Sequence, residues 1–203
     1  MYGINGERDI EEQVLEHMEG YEGSGPVRIG NAAYKQQQND VYGELIEAIY
    51  SYFIINARSQ KNFDEELWTV VRSLANRAME VWKEPDCGIW EHRGPMQHFV
   101  HSKMMNWVAL DRAVKISKYV GKEKHVERYL KIADEIKKDV LKHGWDPELN
   151  SFVMSYGSKN LDASNLLMLH YGFLDATDPM IIGTVEASYE KLLRDGFVMR
   201  YTA

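Results

Sequence analysis

Apolar residues recur along most of this chain at the three- and four-residue intervals that give a helix one buried face. Val41, Leu45, Ile49 and Phe53 form such a stripe and predict a helix over residues 40–57. Asn62, with Glu65 three residues on, has the pattern of a capping box. It opens a second helix whose stripe includes Leu67, Val71, Leu74 and Ala78. A third helix is expected over 101–120, stopped by Gly121. A fourth, over 122–143, shows Val126, Tyr129, Ala133, Ile136 and Val140 and ends at Gly144. Residues 162–171 are apolar on most sides (Leu166, Leu167, Leu169), which predicts a buried helix. A sixth begins at Asp178-Pro179, a cap acceptor ahead of a proline at the first helical position, and stops at Gly196. Strand-like alternation is confined to 151–155, so the pattern predicts an all-α fold.

The connections alternate in length. Those near 58–61, 120–122 and 173–177 are short, as in αα-hairpins, whereas those covering 21–38, 83–99 and 144–160 are long and rich in Gly, Pro and aromatic residues. If successive helices run up and down, every long connection lies at one end of the array, together with the stretch after Gly196. Long structured loops on a helical scaffold are where binding and catalysis gather. No repeat period beyond the hairpin rhythm, low-complexity tract or linker interrupts the chain, so residues 1–203 read as part of one domain and not as a helical repeat scaffold.

Composition narrows the function. The 203 residues are 44% hydrophobic and 27% charged, as in ordinary globular proteins, and no apolar run approaches the roughly 20 residues that span a bilayer. The acidic, polar start is unlike a secretory signal, and the single cysteine, Cys87, fits a reducing, cytoplasmic setting, although a segment upstream would alter that inference. A net charge of −7 without a basic patch argues against nucleic acid. No metal or other cofactor is expected: His98 and His101 lack acidic or cysteine ligands at metal spacing.

The loop from Glu84 to Gly94 carries the candidate chemistry, Trp90-Glu91-His92-Arg93. A carboxyl group desolvated by an indole has its charged form disfavoured, as a general acid near neutral pH requires. A pair with Arg93 would oppose that shift, and a solvated Glu91–Arg93 pair on a surface loop is the plainer alternative. Lys103 and Trp107 lie toward the same end and could line a pocket, with core packing the alternative for Trp107. Asp111-Arg112 reads as an internal ion pair, Asp146 as a turn residue, Asp162 as a helix cap, and Arg28 and Asn31 as organisers of the first long loop.

GIWE-x-RG, preceded by Pro85-Asp86 and followed by HFVHSKMMNWVALDR, resembles glycoside hydrolase family 15. Further matches follow in order: GYEGSGPVRIGNAA, Gln36, Gln38 and DVYGE, then GWD, YGS, LDASNLL, DP and DGFVMRY, covering essentially the whole chain. MYGINGERD at the start resembles a segment internal to that family. The resemblance implies about half of an (α/α)6 barrel, in which antiparallel helical hairpins surround a glucose pocket. It implies an inverting α-glucoside hydrolase acting on maltooligosaccharides, α-glucans or trehalose, with a carboxylic acid and a water-activating carboxylate roughly 6.5–9.5 Å apart. On this resemblance Glu91 is the general acid, Arg200 holds glucose hydroxyls, Trp90 is pocket wall, and Arg93, Lys103 and Trp107 line the substrate site. Two departures matter. Gly25 stands where the family often has a basic residue, and the family's general-base motif, which lies downstream, has no counterpart among these residues. The resemblance therefore implies a chain inactive by itself, self-associating through an open barrel face. A non-catalytic helical module that binds carbohydrate or a protein partner is the alternative.

Overall fold

The computed structural model describes residues 2–55 and 65–202, with the side chains of 54 and 55 excepted. The expected helix end at 56–57, the 58–61 connection and the Asn62 cap lie outside the described residues. Among the described residues six α-helices follow one another: α1 (Val41–Tyr50), α2 (Glu65–Val81), α3 (Val100–Tyr119), α4 (Val126–His143), α5 (Leu167–Tyr171) and α6 (Pro179–Leu192). A π-helical turn, Ser51–Ile55, continues α1. The fold is all-α, as the periodicity predicts, with helices of alternating direction.

Helix α3 is the centre. It packs against α1, α2 and α4, and every residue from Val100 to Leu110 is buried. Its closest approach to α1 is at Gly43, where an added Cβ would lie 2.2 Å from the Met105 carbonyl oxygen. Backbone is therefore in contact with backbone there, which only glycine permits. The α4 stripe is buried as expected at Tyr129, Ala133, Ile136 and Val140.

Helix α1 departs from expectation. Gly43 and Ile46 are its buried positions, while Val41 and Leu45 of the apolar stripe are 41% and 47% exposed. The Gly43 contact brings that side of the helix onto α3 and leaves Val41 and Leu45 outside, while Ile49 of the stripe still packs against the core. In α2 the buried face is Trp68, Val71, Ala75 and Ala78, one position round from the expected Leu67 and Leu74. Leu169 of α5, expected to be buried, is exposed, while Met168 and Tyr171 are buried. Arg112 pairs with Asp111, as expected of an internal pair, and also with Glu47 of α1; it donates to the Tyr171 carbonyl at 3.0 Å. One guanidinium thus ties α1, α3 and the end of α5.

Three two-stranded antiparallel pairs decorate the loops: β1 (Gln13–Val14) with β2 (Arg28–Ile29), β3 (Trp145–Asp146) with β4 (Ser151–Phe152), and β5 (Leu193–Arg194) with β6 (Phe197–Val198). Only β4 falls in the expected alternating segment. The last pair corrects the sixth helix, which ends at Leu192 and not Gly196. Asp195 and Gly196 both have positive φ, 51° and 83°, the backbone of a two-residue hairpin turn for which Asp-Gly is suited.

The long connections do meet at one end. Backbone bridges join Asp86 to Gln97, Phe99 to Ser155 and Asp162 to Tyr201. The Cys87 N–H donates to the Gln37 carbonyl at 2.9 Å, which draws in the first long loop. Replacing Gly43 by alanine should force α1 and α3 apart, at a cost on the order of 1–3 kcal/mol for overpacking that no rotamer change relieves. Thermal unfolding of G43A should show a Tm several degrees lower, and an unchanged Tm would mean that this contact does not set the helix spacing.

Candidate active site

The loop carrying Trp90 and Glu91 is held by its backbone. Gly88 has φ +67°, and a Cβ there would lie 2.8 Å from the Phe99 ring, so the turn requires glycine twice over. Glu91 has φ 54°, a left-handed conformation uncommon for a side-chain-bearing residue. Two amides secure it: Gln36 Nε2 donates to the carbonyls of His92 (2.9 Å) and Glu91 (3.2 Å), and Gln38 Nε2 donates to that of Gly88 (3.2 Å). His92 stacks on Phe99, with ring centroids 5.3 Å apart, and lies 5.0 Å from Tyr201.

Across from this loop comes the C-terminal segment. The Ala163 N–H donates to the Arg200 carbonyl (2.8 Å) and the Thr202 N–H to that of Leu161 (3.1 Å), so residues 161–163 and 200–202 run as a short ladder. Arg200 then lies over the Trp90 ring at 5.7 Å and the Tyr201 ring at 5.8 Å. Trp90 is half-buried and donates its indole N–H to Asp162 Oδ1 at 3.0 Å. Three of the sequence-derived site residues, Trp90, Glu91 and Arg200, are thereby brought together.

The other three sit differently. Arg93 makes an exposed bidentate pair with Glu12, at 3.0 and 2.8 Å, so the solvated Glu91–Arg93 pair gives way to a link with the segment next to β1. The hydrogen bond from Arg93 holds the Glu12 carboxyl below its ordinary pKa. Lys103 is buried and donates to the Trp82 and Glu84 carbonyls, both at 2.5 Å, bracing the start of the acid loop. It lines a separate cavity of about 400 Å³ with Trp82, His98, Asp139, His143 and Tyr156. Trp107 is only 9% exposed and packs edge-on against Phe173, the core-packing alternative.

Beneath the loops lies a buried polar layer. Asp86 accepts from the Asn39 N–H (2.8 Å) and the Ser102 hydroxyl (2.7 Å), and Asn106 donates to the carbonyls of Ser102 (2.7 Å) and Asn39 (3.1 Å). Burial, reinforced by the nearby Asp86 charge, pushes Asp40 up to about 6, while burial alone pushes His101 down to about 4. The two lie 3.9 Å apart, so near pH 5 both are neutral and their contact is not an ion pair. Among the described residues no group of three or more His, Cys, Asp or Glu could hold a metal ion, and no helix is long and apolar enough to cross a membrane.

Sequence reading missed Glu12, His92 and Tyr201 as supports of this site, and it took Asp162 only as a cap. The cap exists, with Asp162 Oδ1 accepting from the Ser164 N–H at 2.8 Å, but nothing local signals the second task of that oxygen, 72 residues from its tryptophan. Asn31 and Asp146 do organise their loops, accepting from the Ala33 N–H at 2.9 Å and the Glu148 N–H at 2.9 Å.

Antiparallel hairpins with their long loops gathered around a Trp-Glu pair and an arginine define a segment of an (α/α)6 barrel of the glycosidase type. The chain belongs to the glycosyl hydrolases family 15, whose family model matches residues 1–203. A trehalase of Mycobacterium tuberculosis (strain ATCC 25618 / H37Rv) is 44% identical over 99% of this chain and 29% of its own length. A trehalase of Thermoplasma volcanium is 39% identical over 98% of this chain and 31% of its own length. The chain thus spans about three-tenths of the curated relatives it matches. Among solved structures, a glycosidase variant in complex with glucose matches with a TM-score of 0.71 at 21% identity, over 89% of this chain and 48% of that one. At that identity the likeness is one of fold.

The buried pair makes a pH test. An unfolded imidazole protonates near 6.5 and His101 near 4 when folded, so its contribution to stability is complete above about 6.5 and lost as pH falls through about 4. Asp40 has the opposite sign: its contribution is complete below about 3.8 and lost as pH rises through about 6. Between pH 4 and 6 the two slopes oppose. His101→Asn should leave Asp40 uncompensated, so that the variant gains stability over the native chain on acidification, on the order of 1 kcal/mol per pH unit. Urea midpoints from pH 4.5 to 7.5 should therefore converge or cross. Parallel curves would refute the opposed pair.

Proposed function

We propose that these residues supply the general-acid side of an inverting α-glucoside hydrolase, with trehalose as the favoured substrate. The observation that carries the reading is the constrained Glu91, fixed in a left-handed backbone between Trp90 and the amide of Gln36, with Arg200 lying over the Trp90 ring. Family membership supports the hydrolase class, and the trehalase relatives favour trehalose over maltooligosaccharides.

In this mechanism Glu91 protonates the glycosidic oxygen as its bond to the anomeric carbon breaks. Arg200 donates to hydroxyls of the bound glucose, and Trp90 offers its face to the sugar's C–H groups. A second carboxylate, roughly 6.5–9.5 Å from Glu91, takes a proton from the water whose oxygen bonds to the anomeric carbon on the face opposite the departing sugar, which inverts that centre. That base is contributed from outside these residues. Arg93, Lys103 and Trp107 act as supports: the first anchors the acid loop to Glu12, the second braces it from below, and the third fills the core.

In the full-length protein that carries these residues, Glu91→Gln should lower kcat on trehalose by about 10²–10⁴-fold with little change in KM. Trehalose should exceed maltose and maltotriose in kcat/KM. An active E91Q variant would remove Glu91 from the acid role, and a preference for maltose would overturn the substrate.

The 203-residue chain alone should release no glucose from trehalose or maltose, since acid assistance without an activated water leaves the displacement poorly driven. Its exposed apolar positions, Val41 and Leu45 on α1 and Ile182, Val185 and Tyr189 on α6, should drive self-association that rises with concentration. Sedimentation reads this out, and a monomer at high concentration would count against an open barrel edge.

A further inference from the structure

We propose that Asp162 is the positioning residue that sets Trp90, and through it Glu91, in register with Arg200. The proposal rests on the reading of Glu91 as acid. Three structures meet at this residue. Its carboxylate oxygen Oδ1 caps the turn that leads into α5, accepting from the Ser164 N–H at 2.8 Å and the Ser164 hydroxyl at 2.6 Å. The same oxygen accepts the Trp90 indole N–H at 3.0 Å. Its backbone bridges to Tyr201, inside the ladder that delivers Arg200.

An indole has a single polar group, its N–H donor. The hydrogen bond to Asp162 therefore uses all the directional bonding Trp90 has, and it fixes the plane of the ring over which Arg200 lies. The amides of Gln36 and Gln38 grip backbone carbonyls of the acid loop, and Arg93 reaches out to Glu12, so none of these bonds touches the indole. Asp162 is only 3% exposed. Burial raises its pKa, while hydrogen bonds from Ser164 and Trp90 oppose that rise. A cap by itself does not call for a carboxylate, because serine or asparagine caps about as well at a helix start. A carboxylate enclosed at this crossing, with its oxygen shared between cap and indole, is what the positioning task demands.

Substitution separates the two tasks. Serine at this position keeps a cap acceptor but is too short to reach the indole, and asparagine keeps an acceptor oxygen for both. In the full-length protein labelled with 5-fluorotryptophan, the Trp90 signal is identified as the resonance lost in Trp90→Phe. Asp162→Ser should shift and broaden that resonance, leave Tm within a few degrees of native, and lower kcat on trehalose about 10–100-fold, with KM changed much less. Asp162→Asn should restore the resonance and most of kcat. An unmoved Trp90 signal in D162S, or a displaced signal with native kcat, overturns the proposal. The Glu91→Gln variant runs in parallel: if E91Q retains activity, the acid assignment fails by itself, while the fluorine signal still decides whether Asp162 holds Trp90.

Discussion

Everything near the cleft depends on the burial of polar groups at the start of α3. A helix enclosed by its neighbours is normally apolar all round, yet Ser102, Lys103 and Asn106 are buried in its first two turns. An unpartnered buried polar group costs about 1–3 kcal/mol, more if charged. Each of these side chains therefore requires a fixed partner, and the loops provide them: the Asp86 carboxylate, the carbonyls of Trp82 and Glu84, and the Asn39 carbonyl. The partners flank the turn that presents Trp90 and Glu91. The demands of the core thus dictate where the acid loop begins.

Outside that layer, side chains from distant stretches hold the acid loop. Gln36 and Gln38 reach across from the first long loop, and Arg93 reaches back to Glu12 beside β1. Three stretches far apart in sequence are joined by amide and guanidinium groups whose geometry is planar and directional. A loop held this way tolerates a left-handed glutamate, because the surrounding bonds over-determine its backbone.

Local features were legible in the sequence and cross-chain pairings were not. Helix content followed from three-four periodicity, and the shared end of the long loops followed from counting antiparallel helices. The motif around Trp90 and Glu91 points to the family by residue order alone. The rotation of α1 was hidden because Gly43 has no side chain to register in a hydrophobic stripe, yet its lack of a Cβ sets the packing. The β5–β6 pair had a readable signal in Asp195-Gly196, overshadowed by the helical run before it. Arg93 beside Glu91 suggested a local pair, whereas its partner lies 81 residues away. Asp162 illustrates the limit best, since its capping role is written in neighbouring residues and its indole partner is not.

The ladder between residues 161–163 and 200–202 also orders the assembly of the molecule. Its bonds join Ala163 to Arg200 and Leu161 to Thr202, with both α5 and α6 inside the loop they close. Closing such a loop costs conformational entropy that only later contacts repay, whereas helical hairpins gain their contacts locally. The α3–α4 hairpin can therefore form early, and the arginine side of the cleft arrives only when α6 has docked. The wall that meets Trp90 therefore depends on α5 and α6 being in place, whereas the acid loop is held to the first long loop by bonds that do not involve them.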